Sequence, residues 1–563
     1  MKNWVLWALV GHLFLLHTLS VHAADLSLQF QHLWNDEPVR IGKPLKHSDG
    51  STITFSRISY LLSNPVLLTA NGNKLSRKDW FGFVEVSEAD SIIHLSGLPD
   101  AELTDIHLSI GLDEKTNRSD PNQYPPKHPL NPLLNNLHWS WQGGYIFLAM
   151  EGTWEKPETP SSGFLYHIGN AVHRMDVKLP VKLDLTKPQK LELHFHIDQV
   201  LGNLVNTKTN SSHGRKGDPV AVQIKKSVEQ AFAVGNISQQ ANLAIPIQQT
   251  AKNKGIGTPY PFKIKKGFPI PALPEDFPLT KERVQLGKRL FHDPNLSSNN
   301  EVSCATCHLK DHAFAEPKNV STGLDGGVGF RNSMPLHNMA WKKKFFWDGR
   351  ATRLRDQALE AIESPGEMAA NLDIITEYLK HHSEYPSLFN AAFGPKAITP
   401  ENLTVAIEQF VLTLTSMDSK FDRAQRGQAQ LTSEEQRGFE LFFTEFDPRR
   451  NLYGADCFHC HGGAFFTDLQ FHHTGLPYTE GQKFATPSLR NLTYTAPYMH
   501  DGRFNTLEEV LKHYTSKIQR SPNLVPSLAK HRSNGIPLSK ADQKAIIAFL
   551  MTLADPQFDG LNQ

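Results

Sequence analysis

An all-β, sandwich-like N-terminal domain followed by a mostly α-helical domain pair is the fold that the sequence predicts. Three observations predict it. Residues 25–203, within a domain over 25–235, alternate apolar and polar positions between Gly, Asn, Asp and Pro turns, as half-buried strands do. From residue 276 onward, apolar residues recur instead at helical spacing. Residues 236–275, Pro-rich from 250 to 274, separate the two regimes and read as a linker. At 563 residues the chain is also too long for one hydrophobic core.

The chain opens on Lys2 and a largely apolar run over residues 4–16, and Val21, His22 and Ala23 fit a small-x-small cleavage pattern. Residues 1–24 therefore read as an export signal, with the mature chain starting at Ala24 or Asp25 and located in the periplasm. A membrane anchor is the alternative, but Gly11 and His12 interrupt a run already short for a span, and no later segment resembles one. Within the β domain the clearest strands are 26–30, 51–55, 106–110 and 145–150, and residues 220–233 carry apolar positions at helical spacing. Past the linker, amphipathic helices are expected at 281–290, 353–362, 371–381, 402–417, 433–443 and 507–515. They fall into one domain over 276–430 and another over 431–555. With 39% hydrophobic residues, 20% charged and a net charge of +1, nothing in the composition points to capture of nucleic acid or anionic lipid.

The grouping of the four cysteines carries the chemistry: Cys304 and Cys307 precede His308, and Cys457 and Cys460 precede His461. Disulfides and zinc are the alternatives for such pairs in an exported protein. The following histidine favours covalent haem, since two thioethers a short turn apart anchor the porphyrin and the next residue presents an imidazole to the iron. Each helical domain thus carries one expected haem c, and no internal repeat is evident beyond the two CxxCH motifs.

Residues 283–555 resemble the bacterial di-haem cytochrome c peroxidase and MauG family. The shared phrases are LGKRLFHDPNLS (286–297) before CATCH, FWDGRA (346–351), SPGEM (364–368), CFHCHGG (457–463) and TPSLRNLTYTAPYMHDGRF (486–504). The resemblance implies that His308 and His461 are proximal iron ligands. It places Tyr514, fourteen residues after the His of the HDG phrase, where the peroxidases have a Met ligand and MauG a Tyr. A phenolate stabilises ferric and higher-valent iron, whereas a thioether favours ferrous iron. The alternative leaves Tyr514 in the helix core and Met499 or His513 on the iron. Many of the peroxidases close the first haem with a loop histidine; Leu324 stands at the corresponding point, so this haem is expected to be five-coordinate, with His312 and His337 structural. The resemblance further implies Glu367 as distal acid, Gln357 at the position of a distal glutamine, and Trp347 as the tryptophan between the haems. It implies Asn332, Thr495 and Pro497 as holders of a calcium ion. Helix, core and loop packing are the plain alternatives for these residues.

The front domain resembles MbnP, the copper-binding partner protein of methanobactin operons, through ISYLLSNPVLL (58–68), IGLDEKTN (110–117), LHWSWQGGYIFLAMEG (137–152) and FLYHIG (164–169). In that family a separate MauG-like enzyme oxidises a tryptophan of the partner to kynurenine; here both parts share one chain. Trp139 and Trp141 lie on one strand face and are the candidates for oxidation, with face packing as the plain alternative. His32, His167, His194 and His196 are candidates for copper, since imidazole suits both copper oxidation states.

The reading is thus a MauG-like oxidoreductase that uses hydrogen peroxide to reach a high-valent state and oxidises protein tryptophan, its own N-terminal domain being the favoured target over a separate partner protein. One alternative is peroxide detoxification with a small cytochrome or cupredoxin as electron donor. Another is a copper-binding or copper-uptake protein whose haem half serves maturation.

Overall fold

The computed structural model describes residues 24–559 apart from 88–90, 140–142, 157–160, 203, 205–209, 240–255, 325, 327, 478–481 and 532. The expected export signal lies outside the described residues up to Ala24, where the first strand begins, and so does Trp141.

The front domain is a two-sheet β structure. Its main strands are β1 (Ala24–Trp34), β2 (Thr52–Thr69), β3 (Ser91–Leu98), β4 (Glu102–Ile110), β5 (Ile146–Glu155), β6 (Ser162–Gly169), β7 (Met175–Asp184), β8 (Gln189–His196) and β9 (Phe232–Gln239). In a nine-stranded sheet β7, β4, β2, β5 and β6 are neighbours in that order, each antiparallel to the next. A five-stranded sheet runs β9, β8, β1, with β1 and β8 parallel and β3 antiparallel to β1. Strict alternation of buried and exposed residues along β7 shows how period-two patterning turns one face inward. Leu28, Phe30, Leu193 and Phe195 of one sheet meet Ile58, Tyr60, Ile106 and Leu148 of the other in a single apolar core. Each such side chain contributes about 1.5–3 kcal/mol by leaving water.

The stretch 220–233, expected as one helix, divides. Helix α1 (Pro219–Val228) is capped by Asp218, and the chain then enters β9, which pairs with β8 and continues beyond the expected boundary at 235. The ladder to β9 satisfies an edge of β8 that would otherwise be open, and Phe232 stacks on Phe195 with ring centroids 4.2 Å apart. Of the expected linker, the part from 256 lies on the helical half: Phe268 is buried, and Trp341 Nε1 donates to the Pro269 carbonyl at 2.7 Å.

The helical half contains α2 (Lys281–Phe291), α3 (Leu354–Glu363), α4 (Leu372–His381), α5 (Tyr385–Phe393), α6 (Pro400–Leu412), α7 (Ser433–Phe442), α8 (Leu507–Ser516), the single turn α9 (Pro526–Ala529) and α10 (Lys540–Met551). Helix α6 stops at Leu412, short of the expected 417, because Asn338 captures the following chain: its N–H donates to the Leu414 carbonyl and its Oδ1 accepts from the Ser416 N–H at 2.8 Å. The two halves of this region repeat one design. A Cβ on Gly287 of α2 would stand 1.8 Å from the Ala406 carbonyl oxygen of α6, and one on Gly438 of α7 would stand 1.9 Å from that of Ala545 on α10. Each domain therefore crosses its first and last long helices at a glycine followed three residues later by Leu-Phe, a repeat that the CxxCH motifs alone did not reveal.

The β domain docks on the second helical domain. Strand β6 and α9 touch so closely that a Cβ on Gly163 would lie 2.1 Å from the Pro526 carbonyl oxygen. Arg520 donates to the Ser161 carbonyl at 2.6 Å, Arg449 to Asn210 at 3.0 Å, and Asn136 to the Asp468 carbonyl at 3.4 Å.

Candidate functional site

Cys304 and Cys307 form the short helix Cys304–Cys307 before His308, and Cys457 opens a 3-10 turn that leads to Cys460 and His461. None of the four thiols is paired in a disulfide, and burial pushes Cys304 and Cys457 up to about 12. Each histidine is oriented in the same way. His308 Nδ1–H donates to the Phe314 carbonyl at 2.7 Å, and His461 Nδ1–H to the Phe466 carbonyl at 3.1 Å. Both phenylalanines hold positive φ, +60° and +53°, to aim those carbonyls back at the ring. A carbonyl on Nδ1 fixes the tautomer whose Nε2 is free to bind a metal. Two cysteines and an oriented imidazole at each motif fit a covalently attached haem.

Around the first motif, Glu367 reaches toward solvent, but crowding protein raises its carboxyl pKa against the pull of the Arg350 guanidinium. Its charge is felt at Cys304 and Cys307, which places it on this haem's side of the domain. The loop bearing Leu324 packs on the same segment, since a Cβ on Gly323 would stand 2.0 Å from the Gly366 carbonyl oxygen. Gln357 is half-buried on α3. His312 Nδ1 donates to the Tyr494 carbonyl at 3.0 Å.

Trp347 is buried between the two helical domains. Its Nε1 donates to the Asn332 carbonyl at 2.8 Å, and its own carbonyl accepts from Ala485 of the second domain at 2.8 Å. Asn332 in turn donates its N–H to the His500 carbonyl at 2.8 Å, so the loop of Asn332 and the loop of Thr495 and Pro497 run side by side. The Asn332 amide already donates to the Lys318 and Asn319 carbonyls at 3.0 and 3.2 Å. At the second motif, Tyr514 of α8 faces Cys457 and Cys460; burial, then the charges of those thiols, push its phenol upward. His513, the alternative ligand, is turned away, its Nε2 bonded to the Thr474 carbonyl at 3.0 Å.

The di-haem cytochrome c peroxidase family model matches residues 281–430. MauG of Methylorubrum extorquens is 36% identical over 307 residues, which are 50% of this chain and 81% of that protein. The chain belongs to the di-haem cytochrome c peroxidase and MauG family. MauG of Methylophilus methylotrophus is 35% identical over 52% of this chain and 88% of its own length, and the cytochrome c peroxidase Ccp of Escherichia coli is 32% identical over 43% and 55%. A crystal structure described as a MauG-like protein associated with microbial copper homeostasis is 32% identical and covers 54% of this chain and all of its own, at a TM-score of 0.47. The MbnP family model matches residues 23–216, so this member of the peroxidase and MauG family carries an MbnP-like β domain ahead of its haem domains.

In the MbnP-like domain the copper candidates lie on three strands of two sheets. His32 lies on β1, its Nε2 3.1 Å from the Tyr60 hydroxyl and its ring packed on Phe195. His194 and His196 share a face of β8, with rings 6.3 Å apart, but His194 is bonded to Glu192 at 2.7 Å. His167 sits on β6 in the other sheet. There it meets His213 and, from the haem-attachment loop of the MauG-like half, His459, with ring centroids 5.5 and 6.1 Å away. His459 lies between the second pair of cysteines, and burial holds it down to about 4. Trp139 is buried, with its ring against Gly169 at the end of β6: a Cβ there would lie 2.4 Å from its Cζ3. Neither His213 nor His459 stood out in the sequence, because the former is an isolated histidine and the latter an unspecified position of CxxCH.

Proposed function

We propose that this enzyme uses hydrogen peroxide to oxidise a tryptophan of its own MbnP-like domain, with Trp139 as the target. The observation that carries the reading is the seating of β6. One strand bears both His167, whose ring is 6.1 Å from that of His459 between the second haem cysteines, and Gly169, against which Trp139 packs. The tethered target is thus held at the haem-attachment loop before any encounter.

When bound, the two haems supply the redox chemistry, taking up peroxide and holding its two oxidising equivalents. Glu367, with its raised pKa, receives the first peroxide proton and returns it to the leaving oxygen. Leu324 would offer the first haem no imidazole, and Gln357 of α3 would add a second polar group beside the acid. Trp347, bonded to Asn332 and Ala485 across the domain boundary, offers an aromatic ring between the haems. Tyr514 offers an oxygen ligand to the second haem while His513 is engaged elsewhere. The loops of Asn332, Thr495 and Pro497 are assigned to a structural calcium ion, and residues 1–24 to export to the periplasm. No helix among the described residues is long and apolar enough to cross a membrane.

Peroxide detoxification by a cytochrome c peroxidase, as the E. coli relative is named, is the competing reading; Tyr514 and Leu324 weigh against it. The oxidised holoenzyme, given one equivalent of peroxide and digested with trypsin, should yield the Trp139 peptide with an added-oxygen mass. An unchanged peptide together with rapid turnover of a small cytochrome would establish detoxification instead.

A further inference from the structure

His167 and His213 of the MbnP-like domain and His459 of the second haem-attachment loop each place a ring nitrogen within 4.8 Å of the others. All three side chains are buried. His213 Nε2 and His459 Nδ1 have no hydrogen-bond partner, an arrangement costly in a buried site unless something else uses the lone pairs. One nitrogen of each ring lies against a buried carboxylate: His167 Nε2 at 2.9 Å from Glu151, His213 Nδ1 at 3.2 Å from Glu445 and His459 Nε2 at 3.4 Å from Asp456, the last also 3.4 Å from the Lys530 ammonium. A carboxylate behind each imidazole is the outer shell that orients histidines toward a metal. An ion about 2 Å from each nitrogen would hold them about 3.5 Å apart, so the rings need close by only about 1 Å.

The carboxylates themselves are already compensated. Lys530 bridges Glu445 at 2.9 Å and Asp456 at 3.1 Å, Arg450 also pairs with Glu445, and Arg57 lies 3.4 Å from Glu151. The acidic cluster of Glu445, Asp456 and His459 therefore has the Lys530 ammonium at its centre and is not itself a site. What the junction offers is three imidazoles with little net negative charge behind them. A divalent zinc ion prefers a fourth ligand, whereas monovalent copper accepts three imidazoles and adds the smaller charge.

We propose that His167, His213 and His459 bind one Cu(I) ion at the domain junction. The site is complete only when the β domain and the haem-attachment loop meet, so the ion clasps the two halves of the chain. Binding selects the tautomer in which His459 Nε2–H donates to Asp456 and Nδ1 faces the ion. This holds whether or not Trp139 is oxidised.

The test uses the full-length holoenzyme with both haems attached, loaded anaerobically with Cu(I) against the chelator bathocuproine disulfonate. The wild type should retain one copper per chain, with X-ray absorption showing three imidazoles. His213→Ala and His459→Ala should each lose about tenfold or more in copper affinity, while His194→Ala should match the wild type. A wild-type copper with one imidazole or none, His459→Ala binding within about twofold of the wild type, or zinc retained over copper at equal concentrations would each overturn the proposal. The imidazole count on the wild type decides the matter even if a variant misfolds.

Discussion

In the proposed function, Glu367 and Tyr514 carry the chemistry at the level of single side chains. If Glu367 must accept the peroxide proton, the rate should fall as pH drops through its raised pKa, giving an acid limb above the usual glutamate range. Arg350 lowers that pKa, so Arg350→Gln should move the limb to higher pH; Glu367→Gln should slow the peroxide reaction about 10²- to 10⁴-fold in stopped-flow absorbance. A limb that stays in place in Arg350→Gln would separate the two residues functionally. Exchanging Tyr514 for Met replaces a hard oxygen with a thioether, and spectroelectrochemistry should show the second haem's potential rise by about 0.1 V or more. The haem ligands were legible as residues because CxxCH is a local covalent requirement. His213 and His459 were not, because each acquires meaning only from partners distant in the sequence.

Among the elements, β6 is the one on which the proposed function depends most. It pairs with β5 on one side and meets α9 on the other, and Gly163 is what allows that approach. Gly163→Val would push a side chain into the Pro526 carbonyl and separate the domains. Small-angle scattering should then report a larger radius of gyration, and Trp139 oxidation should fall while the initial peroxide reaction at the first haem is preserved. The sequence predicted many of these elements because periodicity and caps are local: the capping box of Thr506 and Glu509 starts α8, and Thr432 with Glu435 starts α7. It failed where tertiary contacts override local preference. Residues 232–239 become a strand because β8 has an edge to fill, and α6 ends early because Asn338, far away in sequence, takes the next backbone groups.

For the whole molecule, the proposed function has fusion turn an encounter between enzyme and substrate into a fixed junction. Oxidation within one chain can be tested by mixing isotope-labelled Glu367→Gln chains with unlabelled active chains and adding peroxide. Modified Trp139 should appear only in unlabelled peptides; label in the oxidised peptide would mean that chains act on one another. The sequence by itself determined the β-then-α order, the two haem-attachment motifs and the family resemblance, since each is written in consecutive residues or in a fixed period. Only the tertiary structure decided that His167 leaves the company of His32, His194 and His196 for that of His213 and His459. The reason is geometric: β6 and β8 belong to different sheets, and the distance between two rings depends on how whole domains dock, which no local pattern of residues encodes.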